Sequence, residues 1–310
     1  CKVKKILPLL IILSSCATSP ENLYRKSAAE DNIKLEEDYS WVDQLNFDKK
    51  TETKYQSDKD EFDIVSEESA HALIKESLSN LSAVRLDETL VKSDDVLVKM
   101  NIKCYQNKID DALKIADDIY GQYKNNTSYW NQLGTCYFLK LDYAKAILFY
   151  NKSRDLDNKF VPPVNNLGVV YNKLGKFQKA LSAFKKASEM STFSVTPNYN
   201  LAQLYLRFGT VGKAFPIFQG LQKKSPKDIE VNAALAAANL LKSDIDSAVQ
   251  IYTAMDKDSL TKPAIGLNYA VALKLSNRAA EAQTAFSNVT ASTNIDIKDY
   301  AQRVEKFIRN

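Results

Sequence analysis

An alanine recurs at a fixed step of 34 residues: Ala112, Ala146, Ala180, Ala214, Ala248 and Ala282. A period between about 20 and 50 residues restricts a chain to architectures that stack copies of one small unit. Other columns keep the same step. Tyr150, Phe184, Phe218, Tyr252 and Phe286 form a bulky column, and Leu133, Leu167, Leu201 and Leu235 a second apolar one. Gly134, Gly168, Ala202, Ala236 and Ala270 form a column of small residues, and Tyr137, Tyr171 and Tyr205 one of tyrosines.

Each period reads as a helix, a short turn and a second helix. Small residues let two helix axes approach to the short end of the usual ~8–10 Å range. Leucine and aromatic residues fill the space between one pair and the next. The turn falls at Asn107, Gly175, Gly209, Ser243 and Asn277, mostly residues that end helices or tolerate a left-handed backbone. Leu141 interrupts that column, and the neighbouring Asp142 is expected to serve in its place.

Trp130, Leu133, Gly134, Tyr137, Ala146 and Tyr150 resemble the tetratricopeptide repeat signature. Leu167, Gly168, Tyr171, Ala180, Phe184 and Ala187 match it more fully, and Leu201, Ala202, Tyr205, Ala214, Phe218 and Pro226 make a third copy. The resemblance implies an all-α solenoid of about six repeats, beginning near 93, 127, 161, 195, 229 and 263. The first copy is poor, with Lys99 and Lys103 where leucine and tyrosine are expected. The last two are degenerate, with Asn239 and Leu273 in the tyrosine column. The stripe Ile297, Tyr300, Ala301, Val304, Phe307 and Ile308 reads as a closing helix over 297–309, which a stack needs to cover its last apolar face. At the other end, Ala70, Leu73, Ile74, Leu78 and Leu81 recur at steps of three and four, so 66–92 is expected to be a cap helix or a worn repeat.

The chain opens on a basic cluster, Lys2, Lys4 and Lys5, followed by an apolar run from Ile6 to Leu13. That run is far short of the ~20 residues a membrane-spanning helix needs. It has the proportions of a secretory leader. Leu13-Ser14-Ser15-Cys16 resembles the bacterial lipobox, which implies a signal peptide over 1–15 and a lipid on the thiol of Cys16. Residues 16–65 then read as a flexible acidic tether, and 66–310 as the repeat domain. Between 21 and 68 there are fifteen acidic and seven basic residues, a composition that cannot bury enough surface to offset ordering entropy. About 49 such residues span about 40 Å r.m.s.. Trp41, Leu45 and Phe47 interrupt the segment; they are either residual apolar character or a short motif that docks on a partner or back on the repeats.

The overall charge of +4 therefore hides an asymmetry. The repeat body is basic, but its Lys and Arg residues are interspersed with acids and read as solvated faces. With an envelope location, no nucleic-acid partner is expected.

The residues do not assemble a catalytic set. His71 is the one histidine, and it lies on the expected cap helix. No phosphate-binding glycine loop, zinc motif or calcium loop occurs. Asp110, Asp111, Asp117 and Asp118 are expected to face solvent. Neither a metal nor a cofactor is expected. After Cys1 and Cys16, only Cys104 and Cys136 remain; they fall on first helices of adjacent repeats, and two buried free thiols are the default expectation, a disulfide the alternative.

Function is expected on the first helix of each pair. Asn131, Asn165, Asn172, Tyr199 and Gln203 are predicted to offer amides and a hydroxyl to an extended peptide. Farther along, Leu240, Leu267 and Val271 are predicted to form an apolar floor for an anchor side chain. The competing reading is that superhelical curvature, or the closing helix, buries those three within the stack. Asn166 and Asn200 are expected to tie neighbouring repeats together. The Lys and Arg partners of a carboxylate clamp, known from chaperone-binding repeats of this type, are missing. The whole resembles an outer-membrane repeat lipoprotein, a layout shared with type IV pilus pilotins, outer-membrane assembly lipoproteins, peptidoglycan-hydrolase adaptors and gliding-motility proteins. The resemblance implies a non-enzymatic scaffold, a monomer or one subunit of a hetero-complex. It would gather another envelope protein while a lipid on Cys16 holds it to the membrane.

Overall fold

The computed structural model describes residues 95–292 and 295–309. Cys16, the leader, the acidic segment, the cap helix and His71 lie outside the described residues. Fourteen helices and no strand occur among the described residues. They are α1 (Val96–Tyr105), α2 (Ile109–Tyr123), α3 (Thr127–Leu139), α4 (Tyr143–Leu156), α5 (Val161–Lys173), α6 (Phe177–Met190) and α7 (Val195–Arg207). There follow α8 (Val211–Lys224), α9 (Ile229–Leu241), α10 (Ile245–Thr253), α11 (Lys257–Thr261), α12 (Pro263–Leu275), α13 (Ala279–Ser287) and α14 (Ile295–Arg309). Contacts divide them into two compact units, 95–200 and 201–309, with the division inside α7.

Starts are set locally. Asp95, Asn126 and Asp228 stand before α1, α3 and α9, and each carboxylate or amide oxygen accepts from free backbone N–H groups of the first turn. These bonds satisfy donors that have no partner inside the helix. Pro162 and Pro163 open α5, and Pro263 opens α12, where a missing N–H costs nothing.

Ends are set by a single device used six times. Asn107, Leu141, Gly175, Gly209, Ser243 and Asn277 all have φ between 60° and 71°. These positions are 34 residues apart. After each, the next N–H reaches back five residues: Lys108 to the Lys103 carbonyl, Asp142 to Tyr137, Lys176 to Tyr171, Thr210 to Tyr205, Asp244 to Asn239 and Arg278 to Leu273. The left-handed residue thus closes each first helix and aims the chain into the second. Leu141 takes this conformation itself. The expectation for Asp142 is corrected: it caps α4, accepting from the Lys145 N–H at 3.1 Å. A left-handed backbone costs a non-glycine residue about 1–2 kcal/mol. Leu141→Gly should therefore raise stability by about 0.5–1 kcal/mol, after the larger unfolded-state entropy of glycine is subtracted. Urea unfolding measures it; an unchanged or lower midpoint would contradict the account.

The six alanines of the 34-residue column are all buried, each at 0% exposure. The small-residue column does what close packing demands. A Cβ on Gly134 would sit 2.7 Å from the Tyr150 ring, and one on Gly168 2.6 Å from the Phe184 ring. In unit 95–200, α1 with α2, α3 with α4 and α5 with α6 form antiparallel pairs, and α1 packs on α3. Cys104 of α1 and Cys136 of α3 are bonded as a disulfide, with Cα atoms 5.1 Å apart, rather than left as free thiols. Both are in the core, at 2% and 0% exposure.

Unit 201–309 departs from regular repeats. The second helices α4, α6 and α8 have 14 residues, but α10 and α13 have 9. Asp256 stops the chain after α10 by accepting from the Ser259 N–H and hydroxyl, both at 2.7 Å, which starts the short α11. The Leu260 carbonyl of that segment presses on Gly266, leaving no room for a Cβ. The closing helix runs from Ile295, two residues earlier than expected, and buries Tyr300, Val304 and Ile308.

Glu230, in the first turn of α9, is held among buried groups. Burial, then the Asp228 charge, push its carboxyl up to about 7, against a smaller opposing pull from Lys262. A folded value above the unfolded one means the protonated form is favoured by folding. The contribution is full below about 4.5 and is lost as pH rises through about 7. The melting midpoint should fall between pH 5 and pH 8, and Glu230→Gln should flatten that slope. An equal slope in the variant would assign the dependence elsewhere.

Candidate functional site

In unit 95–200 the first helices bring four asparagines into one chain of amides. The Asn200 Nδ2 donates to Asn165 Oδ1 at 2.8 Å, Asn165 Nδ2 to Asn166 Oδ1 at 3.3 Å, and Asn166 Nδ2 to Asn131 Oδ1 at 3.0 Å. The donors Asn166 and Asn200 are each 35 residues from their acceptors. A step of one repeat plus one residue puts them across the contact between successive first helices. Their expected role as ties is met. Asn131 and Asn165, by contrast, are at 0% exposure, and their oxygens are taken by these ties. They are not laid open for a peptide as the sequence suggests, because the same spacing that aligns them also lets them reach each other. Tyr199 is likewise buried, at 6%.

In this unit two of the predicted site residues keep an amide atom over. Asn131 Nδ2 is a donor, and Asn172 Oδ1 an acceptor, each screened from solvent and without a hydrogen-bond partner among the described residues. Asn172 as a residue is only half-buried, and so is Gln203 in the other unit. An unmet buried amide group costs about 1–3 kcal/mol. Such atoms are uncommon in native proteins.

The apolar floor is corrected outright. Leu240, Leu267 and Val271 are each at 1% exposure, in one core cluster with Tyr300, Val304 and Ile308 of the closing helix. That helix packs on α12 and is tied to it by two polar contacts. The Tyr300 hydroxyl donates to Asn268 Oδ1 at 2.6 Å, and Lys274 Nζ donates to the Ile308 carbonyl at 2.8 Å. A nearly uncharged face is also what a closing helix needs beneath it, so these three belong to the core of unit 201–309.

The sequence reading missed a second column. Lys145 lies over the Tyr137 ring at 5.0 Å, Lys179 over Tyr171 at 5.8 Å and Lys213 over Tyr205 at 5.7 Å. The lysines keep the 34-residue step, so the signal was available. Each contact is exposed and contributes about 0.5–1 kcal/mol. The four acids of α2 do face solvent, as expected. Among the described residues, no group of three or more His, Cys, Asp or Glu side chains gathers as a metal site requires.

Comparison with known proteins places this geometry. A family model described as tetratricopeptide repeat matches residues 165–229, and one described as anaphase-promoting complex, cyclosome, subunit 3 matches residues 105–187. No curated protein sequence matches the chain. Among solved structures, the chain is similar to a tetratricopeptide repeat protein from Parabacteroides merdae, with 16% identity, 76% of this chain and 91% of that one covered, and a TM-score of 0.51. It is similar to PilF of Pseudomonas aeruginosa, with 14% identity, 62% and 87% covered, and a TM-score of 0.53. It also resembles the Cut9–Hcn1 hetero-tetramer of the APC/C, with 17% identity, 68% and 41% covered, and a TM-score of 0.54. At these identities the likeness is one of fold.

Proposed function

We propose that this chain, a tetratricopeptide repeat protein, is an exported, membrane-anchored scaffold that holds another polypeptide along the first helices of unit 95–200. The observation that carries the reading is Asn172 Oδ1, an acceptor on a half-buried first-helix residue that no described group meets. An extended backbone supplies an N–H, the donor this oxygen lacks. Only binding is asked of the site. The apolar anchor once expected over Leu240, Leu267 and Val271 plays no part, since those residues are core.

Export is supported by two features. Leu13-Ser14-Ser15-Cys16 offers a lipid attachment point, and the Cys104–Cys136 disulfide suits a protein matured in an oxidising compartment. The partner would then be another envelope protein, in pilus, secretion, motility or outer-membrane assembly, or an enzyme of peptidoglycan.

Asn172→Leu separates binding from folding. It removes an acceptor that no described group uses, so the free protein should be as stable as the parent or slightly more so. Partner affinity should fall about fivefold to thirtyfold, the value of one or two hydrogen bonds. Crosslinking and pull-down from native envelopes, compared between parent and variant by quantitative mass spectrometry, reads this out. Undiminished capture by the variant would place the interface elsewhere. Mass measurement of the mature chain, with Cys16→Ala beside it, tests the lipid.

A further inference from the structure

Three leucines stand in solvent: Leu141 at 62% exposure, Leu148 at 61% and Leu156 at 37%. With Lys145 and Lys152, both exposed, they alternate as Leu141, Lys145, Leu148, Lys152 and Leu156. The steps are three or four residues, so all five share the outward face of α4 and the turn before it. Leucines exposed singly need no explanation, but a contiguous row marks a contact surface. One repeat farther on, the equivalent leucine positions hold Gly175, Ser182 and Met190. The row is therefore not a demand of the repeat.

Leu141 adds an independent sign. Its φ is 64°, and the five equivalent turns use asparagine, glycine or serine. A bulky side chain kept in a strained conformation, and pointed at water, is retained for something it touches.

We propose that the occupant of this row is residues 36–48 of the same chain. That segment reads Glu-Glu-Asp-Tyr-Ser-Trp-Val-Asp-Gln-Leu-Asn-Phe-Asp. It carries Trp41, Leu45 and Phe47 among five acids, with no Lys or Arg, and so complements the three leucines in apolar content and the exposed Lys152 in charge; Lys145 is already paired with Asp142 at 3.4 Å. It can reach. About 46 residues separate Asp48 from Asp95, the cap of α1 in the same unit; of these, the tether share 49–65 spans about 20–25 Å r.m.s. as a flexible chain, and the expected helix over 66–92 adds up to about 40 Å. A covalent link of this kind supplies a high effective concentration, so a weak pairing suffices.

The test uses the full chain with Trp130→Phe, which leaves Trp41 as the only indole. Trp41 emission should be that of a shielded ring, resistant to acrylamide. Leu148→Glu with Leu156→Glu should expose it and speed tryptic cleavage after Lys49 and Lys50 on the order of tenfold, the loss of about one apolar anchor. The melting midpoint should not move, since both leucines are exposed already. A freely quenched Trp41 in the parent, or shielding that survives the double substitution, overturns the proposal. Shielding that disappears on dilution would assign the row to a second copy, and shielding that appears only with anionic vesicles would assign it to a membrane; either also overturns it. No partner enters the measurement, so its outcome is separate from that of the binding site on the first helices.

Discussion

Replacing both Cys104 and Cys136 with alanine should cost unit 95–200 about 3–4 kcal/mol, the chain-entropy value for a loop closed across 32 residues. Two effects compete in that substitution. Loss of two buried sulfur atoms removes some packing, but cysteine is a small side chain and alanine leaves only a small void. Release of the loop restores freedom to the unfolded chain, and this larger effect decides the outcome. Thermal unfolding of the double variant against the parent reads it, with a fall of roughly 2–4 °C for each kcal/mol in a body of this size. Both sulfurs are in the core, so a reductant should act slowly on the folded protein and quickly after unfolding. A double variant as stable as the parent, or free thiols in freshly purified protein, would remove the bond from the account and with it one of the two supports for export.

Most of the fold is legible before any coordinates, and the reason is the repeat. A column such as Ala112 to Ala282 is six observations of one packing requirement, and every member is buried. The same redundancy exposes Leu141, whose turn is recognisable only because five others share its position. Legibility fails where the period fails. The short α11 and the nine-residue α10 and α13 follow from single local events, such as the Asp256 cap, that no column repeats. The candidate site is less legible than the fold for a different reason. Asn131, Asn165, Leu240, Leu267 and Val271 stand at positions that face inward across first helices, and position alone does not say what lies opposite. For the asparagines it is another amide one repeat away, and for the apolar three it is the packed core of unit 201–309. Asn172 is half-buried, with an oxygen that no described partner meets.

Leu240→Glu and Leu148→Glu are the same chemical change with opposite expected results. Leu240 is at 1% exposure and Leu148 at 61%. At Leu240 the new carboxylate enters a cluster that includes Tyr252, Leu267, Tyr300 and Val304, with no cation of that cluster to meet it. Removing the leucine side chain alone costs about 2–5 kcal/mol. Burying an unpaired charge adds several more, or forces the carboxyl to stay protonated well above the usual carboxylate range. The sum matches or exceeds the stability of an ordinary domain, so unit 201–309 should unfold at neutral pH and recover partly as pH falls toward 5. Val271→Glu should behave alike. At Leu148 the carboxylate stays in water, and the change should remain within about 0.5 kcal/mol. Circular dichroism melts of the three single variants measure the contrast. If Leu240→Glu keeps its helices and its midpoint, then that face is not part of the core of unit 201–309, and the open apolar groove read from the sequence returns as the binding surface.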